Sequence, residues 1–216
     1  VCSSDLVNAW SRYLYLNELG VRRGTDGKAY GFSVRCLENE SIPPTTTATA
    51  MSGANPYVFG AWTNQDVAVT LSCQDNPQGS GCEATYYCVD ADNSCTPNTA
   101  YTSPVAVSSI GTSYIRYYST DKFGNQEATQ SSTVKIDKTS PTVDAGADIV
   151  ANSQFFRDAT SSDATSGIAG YSWTKQSGPG TATFGTTNAE DTTISANTDG
   201  QYVVRLTVTD NAGNSD

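Results

Sequence analysis

Apolar and polar positions alternate with a period of two along much of this chain. In 66–72, Val67, Val69 and Leu71 point one way and Ala68, Thr70 and Ser72 the other. That is the pattern of a half-buried strand. Segments 85–89, 100–107, 113–119 and 128–136 are expected as further strands. In the third of these, Ile115 and Tyr117 share a face, while Tyr114, Arg116 and Tyr118 take the other, which places Arg116 toward solvent. Farther on, 168–174 carries Trp173, and Tyr202, Val204, Leu206 and Val208 form an apolar face. Polar turn clusters separate these stretches. No apolar run approaches the ~20 residues of a membrane helix. The pattern predicts an all-β chain with no membrane insertion.

One pattern occurs twice. Gly111, Arg116, Thr120, Asp121, Gly124 and Asn125 recur as Gly200, Arg205, Thr209, Asp210, Gly213 and Asn214, at a constant offset of 89 residues. Each copy is a strand followed by a Thr-Asp-x-x-Gly-Asn turn. A repeat of that length marks tandem modules rather than a solenoid of short units. Twelve residues follow Asn125 before the end of the first module, and two follow Asn214. The second module is therefore expected to lack its last strand and to leave 201–209 with an unpaired edge.

Composition narrows the function classes. The 216 residues include 22 acidic and 12 basic side chains, a net charge of −10. Nucleic acid binding needs a basic face and is not expected. Histidine is absent, which removes the commonest general base and the Ser-His-Asp arrangement. No glycine-rich nucleotide loop occurs, and the carboxylates fall in turns rather than in an arrangement aimed at a cleft. No catalytic residue is expected. The N-terminus has no basic region followed by an apolar core, so the signal of a secreted protein would lie upstream.

Val1-Cys2-Ser3-Ser4-Asp5-Leu6 resembles the in-frame translation of a common sequencing-library adapter, which would reduce the six cysteines to five. Gly-Phe-Ser-Val-Arg-Cys at 31–36 resembles the close of the Fibrobacter succinogenes major paralogous domain. That resemblance covers 7–40 and implies the tail of an extracellular, C-type-lectin-like domain, with Cys36 pairing outside this sequence. Lectin-like domains with such a tail are sometimes diversified, and Ser11, Tyr13, Tyr15, Leu16 and Leu19 would be the varied positions. The Pro/Thr-rich stretch 41–50 is expected as a linker. Residues 51–137, with their Thr-Asp-x-x-Gly-Asn turn and Ile-Asp-Lys-Thr-x-Pro-Thr close, resemble bacterial Ig-like repeats, and 138–141 would be the next linker. Residues 142–216 carry Asp-Ala-Gly, Tyr-Ser-Trp, Ser-Gly-Pro-Gly and Leu-Thr-Val-Thr-Asp. This combination is similar to PKD-type Ig-fold domains. Tandem Ig-like β-sandwiches follow from these resemblances.

Cys73, Cys82, Cys88 and Cys95 are spaced by 9, 6 and 7 positions. Zinc sites use Cys-x-x-Cys hooks, often with His, so disulfides are the better reading. Of three connectivities, neighbour pairing (73–82 and 88–95) is expected, in an oxidising compartment. Asp121, Glu127, Asp137, Asp144 and Asp148 gather near module ends, with Asp158, Asp163 and Asp210 as a second group. They are candidate calcium ligands at a hinge, since calcium takes six to eight oxygens. The competing reading is that Asp and Asn simply shape turns. Tyr114, Arg116 and Tyr118 form a candidate ligand surface. The function these features imply is spacing and presentation within a bacterial secreted or cell-surface protein. Its partners would be the other domains of the parent chain. The alternatives are an adhesin or carbohydrate-binding module facing glycans or cell-surface proteins, or the appendage of a secreted hydrolase.

Overall fold

The computed structural model describes residues 41–77 and 79–216 in full, and the backbone of 8–14 and 21–27. No helix occurs among the described residues. The chain is all-β, and it divides into two compact units, Val1–Ser41 and Ile42–Asp216.

In the first unit, β1 (Asn8–Leu14) pairs antiparallel with β2 (Val21–Gly27). Gly24-Thr25-Asp26-Gly27 is the end of β2. The readings placed on Val1–Leu6, Tyr15, Leu16, Leu19 and Cys36 lie outside the described residues, as do those on the side chains of Ser11 and Tyr13.

The second unit contains two hydrophobic cores. Around the first lie β3 (Thr45–Ser52), β4 (Asn55–Pro56), β5 (Trp62–Thr63), β6 (Val67–Gln74), β7 (Cys82–Asp90), β8 (Thr99–Ala100), β9 (Val105–Val107), β10 (Gly111–Asp121) and β11 (Gln130–Ile136). One sheet has the order β4-β3-β6-β9 and the other β5-β11-β10-β7-β8. Inward residues of both sheets, among them Val67, Val69, Ile115, Val134 and Ile136, are almost wholly buried between them. This face-to-face packing is the usual answer to two sheets that are each apolar on one side. Ile115 and Tyr117 point inward as their alternation implies, at 0% and 6% exposure.

The stretch 41–50 is not a linker over most of its length. Thr45–Ser52 pairs residue by residue with β6, and Thr46 and Ala50 are buried. Small side chains gave this strand no apolar signal, yet β-branched threonines suit a pleated surface. The strand is held by what lies across from it, as the buried carboxylate of Glu127 shows below.

Around the second core lie β12 (Thr142–Asp144), β13 (Phe155–Arg157), β14 (Thr160–Ser162), β15 (Ile168–Ser177), β16 (Ala182–Phe184), β17 (Thr192–Ala196) and β18 (Val203–Asp210). They form ladders β12-β14, β13-β17-β16 and β15-β18. Ala159, Trp173, Ile194, Leu206 and Val208 are the buried apolar residues. β18 has one ladder partner, β15. On its other side a bridge joins Thr209 to Ser215, and Val208 and Asp216 exchange backbone hydrogen bonds of 3.0 and 3.1 Å.

Candidate functional site

The repeated turn is built the same way twice. The Asp121 amide donates to the Asn125 carbonyl (3.1 Å) and the Asp210 amide to the Asn214 carbonyl (3.0 Å). Each Asp Oδ1 accepts two amides: from Phe123 and Asn125 in the first turn, and from Ala212 and Asn214 in the second. Each Asn Nδ2 donates 2.7 Å to its own Asp Oδ2. Gly124 and Gly213 stand at φ of 85° and 90°, a left-handed conformation that glycine adopts without steric cost. The repeated Asp, Gly and Asn are therefore turn chemistry first.

In the second turn the asparagine does more. Asn214 Nδ2 also donates to the Asp137 carbonyl (2.9 Å) and the Thr139 carbonyl (3.2 Å). Asp137 Oδ1 accepts from the Thr139 amide (2.9 Å), and Oδ2 accepts from the Ser166 amide (3.1 Å), in the loop that follows β14. Asp163 Oδ1 takes the amides of Thr165, Ser166 and Gly167. The segment between the two cores is thus fastened to one end of the second sandwich. Burial pushes the Asp137 carboxyl up, but the hydrogen bonds from Thr139 and Ser166 outweigh it and hold it below the usual carboxylate range.

Asp137, Asp163 and Asp210 each bring a carboxylate oxygen within 4.8 Å of the others, with Asp137 and Asp210 buried. No ion pair among the described residues joins any of the three. Three converging carboxylates are the oxygen-rich, anionic chemistry that calcium takes, although they supply at most half of a full shell.

The five acidic residues expected to share an ion do not meet. Gly111 faces Ile136 across the β10–β11 pair, so Asp137 lies at that end of the first sandwich. Asp121 ends β10 ten residues away, about 33 Å at the usual rise per residue. Glu127 is buried against Thr46, and its oxygens accept the amides of Thr46 (3.0 Å) and Ser119 (2.8 Å). Asp144 accepts the Gly146 amide in its own turn, and Asp148 is exposed. Of the second group, Asp163 and Asp210 come together, while Asp158 precedes β14 and stands at the other end of it. What sequence reasoning missed is the reach of the Asn214 amide. Its only signal was the repetition of the asparagine itself.

The cysteines pair as Cys73–Cys82 and Cys88–Cys95. The second bridge lies on the outer face of the five-stranded sheet, where Cys88 faces Arg116. Arg116 does not reach freely into solvent: it is half-buried and Nη1 donates 2.7 Å to the Cys95 carbonyl. Tyr118 is half-buried and packs on Tyr86, centroids 5.4 Å apart. Tyr114 is half-buried on the same face.

The loop between Cys88 and Cys95 is organised by Asp90, whose Oδ2 accepts the amides of Ser94 (2.8 Å) and Cys95 (2.7 Å). The Ser94 amide is the main cause holding this carboxyl below its ordinary range, against the opposing effect of burial. A carboxyl depressed in the folded state contributes order above its unfolded pKa of about 3.9, and loses it as pH falls through the folded value. The Ser94 and Cys95 amide resonances, followed from about pH 6 to about pH 2, should therefore titrate with a midpoint below the ordinary aspartate value. A midpoint at or above that value would contradict the capping role.

Comparison with known proteins assigns one stretch. No curated protein matches the chain. Residues 145–216, the second sandwich with its turn at Asp210, match the family described as K319L-like, PKD domain, a family of non-catalytic modules typical of extracellular spacer and adhesion proteins.

Proposed function

We propose that this chain is a run of non-catalytic spacer modules, with boundaries near 45–137 and 142–216, in a bacterial secreted or cell-surface protein. It would hold other domains of the parent chain at a set distance. The observation that carries this reading is the junction. Asn214 donates to two main-chain carbonyls of the preceding segment, and Asp137 accepts from Ser166. A connection fixed by side chain to backbone bonds transmits orientation, which a flexible tether does not. Two local disulfides and the PKD-family match support an extracellular setting.

The reading includes calcium at the junction. Two buried aspartates and a third beside them are acidic groups with no cationic side chain bonded to them among the described residues, and an ion would offset their repulsion.

X-ray scattering of the full chain and of Asn214→Ala, each with and without millimolar calcium, tests both parts. The unaltered chain should give a narrow distribution of dimensions, which Asn214→Ala broadens. Calcium should raise the melting temperature and narrow the distribution further. A broad distribution in the unaltered chain would overturn the spacer reading. A narrow one indifferent to calcium would remove the ion and leave the spacer.

A further inference from the structure

Strands β3 and β6 pair antiparallel, with Ser52 facing Val67 at the end of the ladder. A hairpin there needs two to five residues, yet fourteen, 53–66, intervene. Part of this length carries the chain to the other sheet, where β5 runs parallel to β11 at Lys135 and Ile136. Of the remainder, β4 folds back on β3 at Asn55 and Pro56, and the residues between β4 and β5 are held as a shaped loop. Tyr57 is buried; its hydroxyl donates to the Ala61 carbonyl and accepts the Lys135 amide (3.0 Å). The Gly60 amide donates to the Thr133 carbonyl (2.8 Å), and the hydroxyls of Ser52 and Thr63 bond at 2.7 Å.

The loop borders an open surface hollow of about 470 Å³, within the size range of small-ligand sites. Its lining is distinctive in a chain of net charge −10, because no charged side chain takes part. Trp62 and Val58 supply apolar surface, Val58 at 74% exposure. Lys135 Nζ lies 5.6 Å from the Trp62 ring centroid. Asn55, Asn64 and Gln65 are also among the residues that line the hollow, and none of their side-chain amides has a hydrogen-bond partner among the described residues. A lone exposed amide is ordinarily satisfied by water. Here three such residues line one concavity together with Trp62.

We propose that this hollow binds a neutral saccharide. A sugar ring carries an apolar C–H face and a rim of hydroxyls, each both donor and acceptor. An amide offers two donors and an acceptor in one plane, which matches vicinal hydroxyls without a charge. Indole and valine surface match the C–H face. The Tyr118 side of the five-stranded sheet is a weaker candidate, since the Arg116 guanidinium there already donates to the Cys95 carbonyl. The site is independent of the spacer reading, because 53–66 leaves from the end of β3 and takes no part in the Asp137 junction.

The test is a nuclear magnetic resonance titration of the full chain with a panel of neutral oligosaccharides: glucan, xylan, mannan and chitin hexamers, with oligogalacturonate as an anionic comparison. The Trp62 indole N–H is assigned with Trp62→Phe. At least one neutral hexamer should shift it saturably, together with the side-chain amides of Asn55, Asn64 and Gln65. Asn55→Ala with Asn64→Ala should weaken that affinity about tenfold, roughly the loss of one or two hydrogen bonds. An unchanged melting temperature shows that the fold is intact, and Gln65→Ala serves as a second variant should the pair destabilise the loop. No shift with any neutral hexamer at millimolar concentration would overturn the proposal. So would shifts that persist undiminished in the variants, that centre on Tyr114 and Tyr118, or that arise only with the anionic sugar.

Discussion

Replacing Glu127 with alanine should destabilise the first sandwich by about 3 kcal/mol. The residue is 7% exposed, and its partners Thr46 and Ser119 are 6% and 0% exposed. Its carboxylate accepts the Thr46 amide, the Ser119 amide and the Thr46 hydroxyl. Ser119 Oγ extends the network to Thr85 Oγ1 (2.7 Å). Thr46 belongs to one sheet and Ser119 to the other, so this carboxylate is a polar lock between the two layers. Alanine strands two buried amides, at about 1–3 kcal/mol each, and leaves a void. Glutamine keeps the shape but turns an NH₂ group toward an amide donor, so it should recover only part of the loss. A fall in melting temperature of roughly 10–20 °C follows for a module of this size. Amide hydrogen exchange should show Thr45–Ser52 losing protection before the rest of the sandwich. Unchanged protection in that strand would sink the assignment of Glu127 as its anchor.

Trp173→Ala should cost the second sandwich about 4 kcal/mol, enough to unfold a small module. Only five apolar residues are buried in that core, and Trp173, 2% exposed, is the largest of them. Its ring stacks on Phe184 with centroids 6.2 Å apart. Its Nε1 donates to the carbonyls of Ala189 (3.1 Å) and Glu190 (3.2 Å), which ties the segment before β17 to the core. A small core has little surrounding structure to close over the cavity. Phenylalanine at the same position retains the stacking and forfeits the hydrogen bonds, so its cost should be nearer 1–2 kcal/mol. Hydrogen exchange reads the result by location. Protection should vanish in Ala182–Phe184 and Thr192–Ala196 and persist in Val67–Gln74. Loss in all three segments together would mean that the two cores unfold as one.

Much of this protein was legible in the order of its residues. The alternation in Val67–Gln74 and Gly111–Asp121, the inward placement of Ile115 and Tyr117, the double Asp-Gly-Asn turn and the pairing of neighbouring cysteines are all local facts. Each depends on residues within one strand, one turn or one short loop. Period, turn chemistry and loop length are written directly along the chain. The all-β class follows from the same local signals repeated.

What only the tertiary structure decided is which distant groups meet. Asp121 and Asp137 look alike as acidic residues near module ends, yet β10 is long enough to put them at opposite ends of one sandwich. Asp137 instead finds Asp163 and Asp210, because the second sandwich presents its turn to the preceding segment. Thr45–Ser52 resembled a linker because threonine and alanine send no apolar signal. It is a strand because β6 offers a ladder and Glu127 an anchor 81 positions away. The uncharged hollow of 53–66 was likewise invisible, since its amides are scattered polar residues until the loop closes around them. The sequence thus determined the strands, turns and staples, which depend on near neighbours. Their meeting across the fold depends on strand lengths and sheet pairing, and these set distances that no local pattern records.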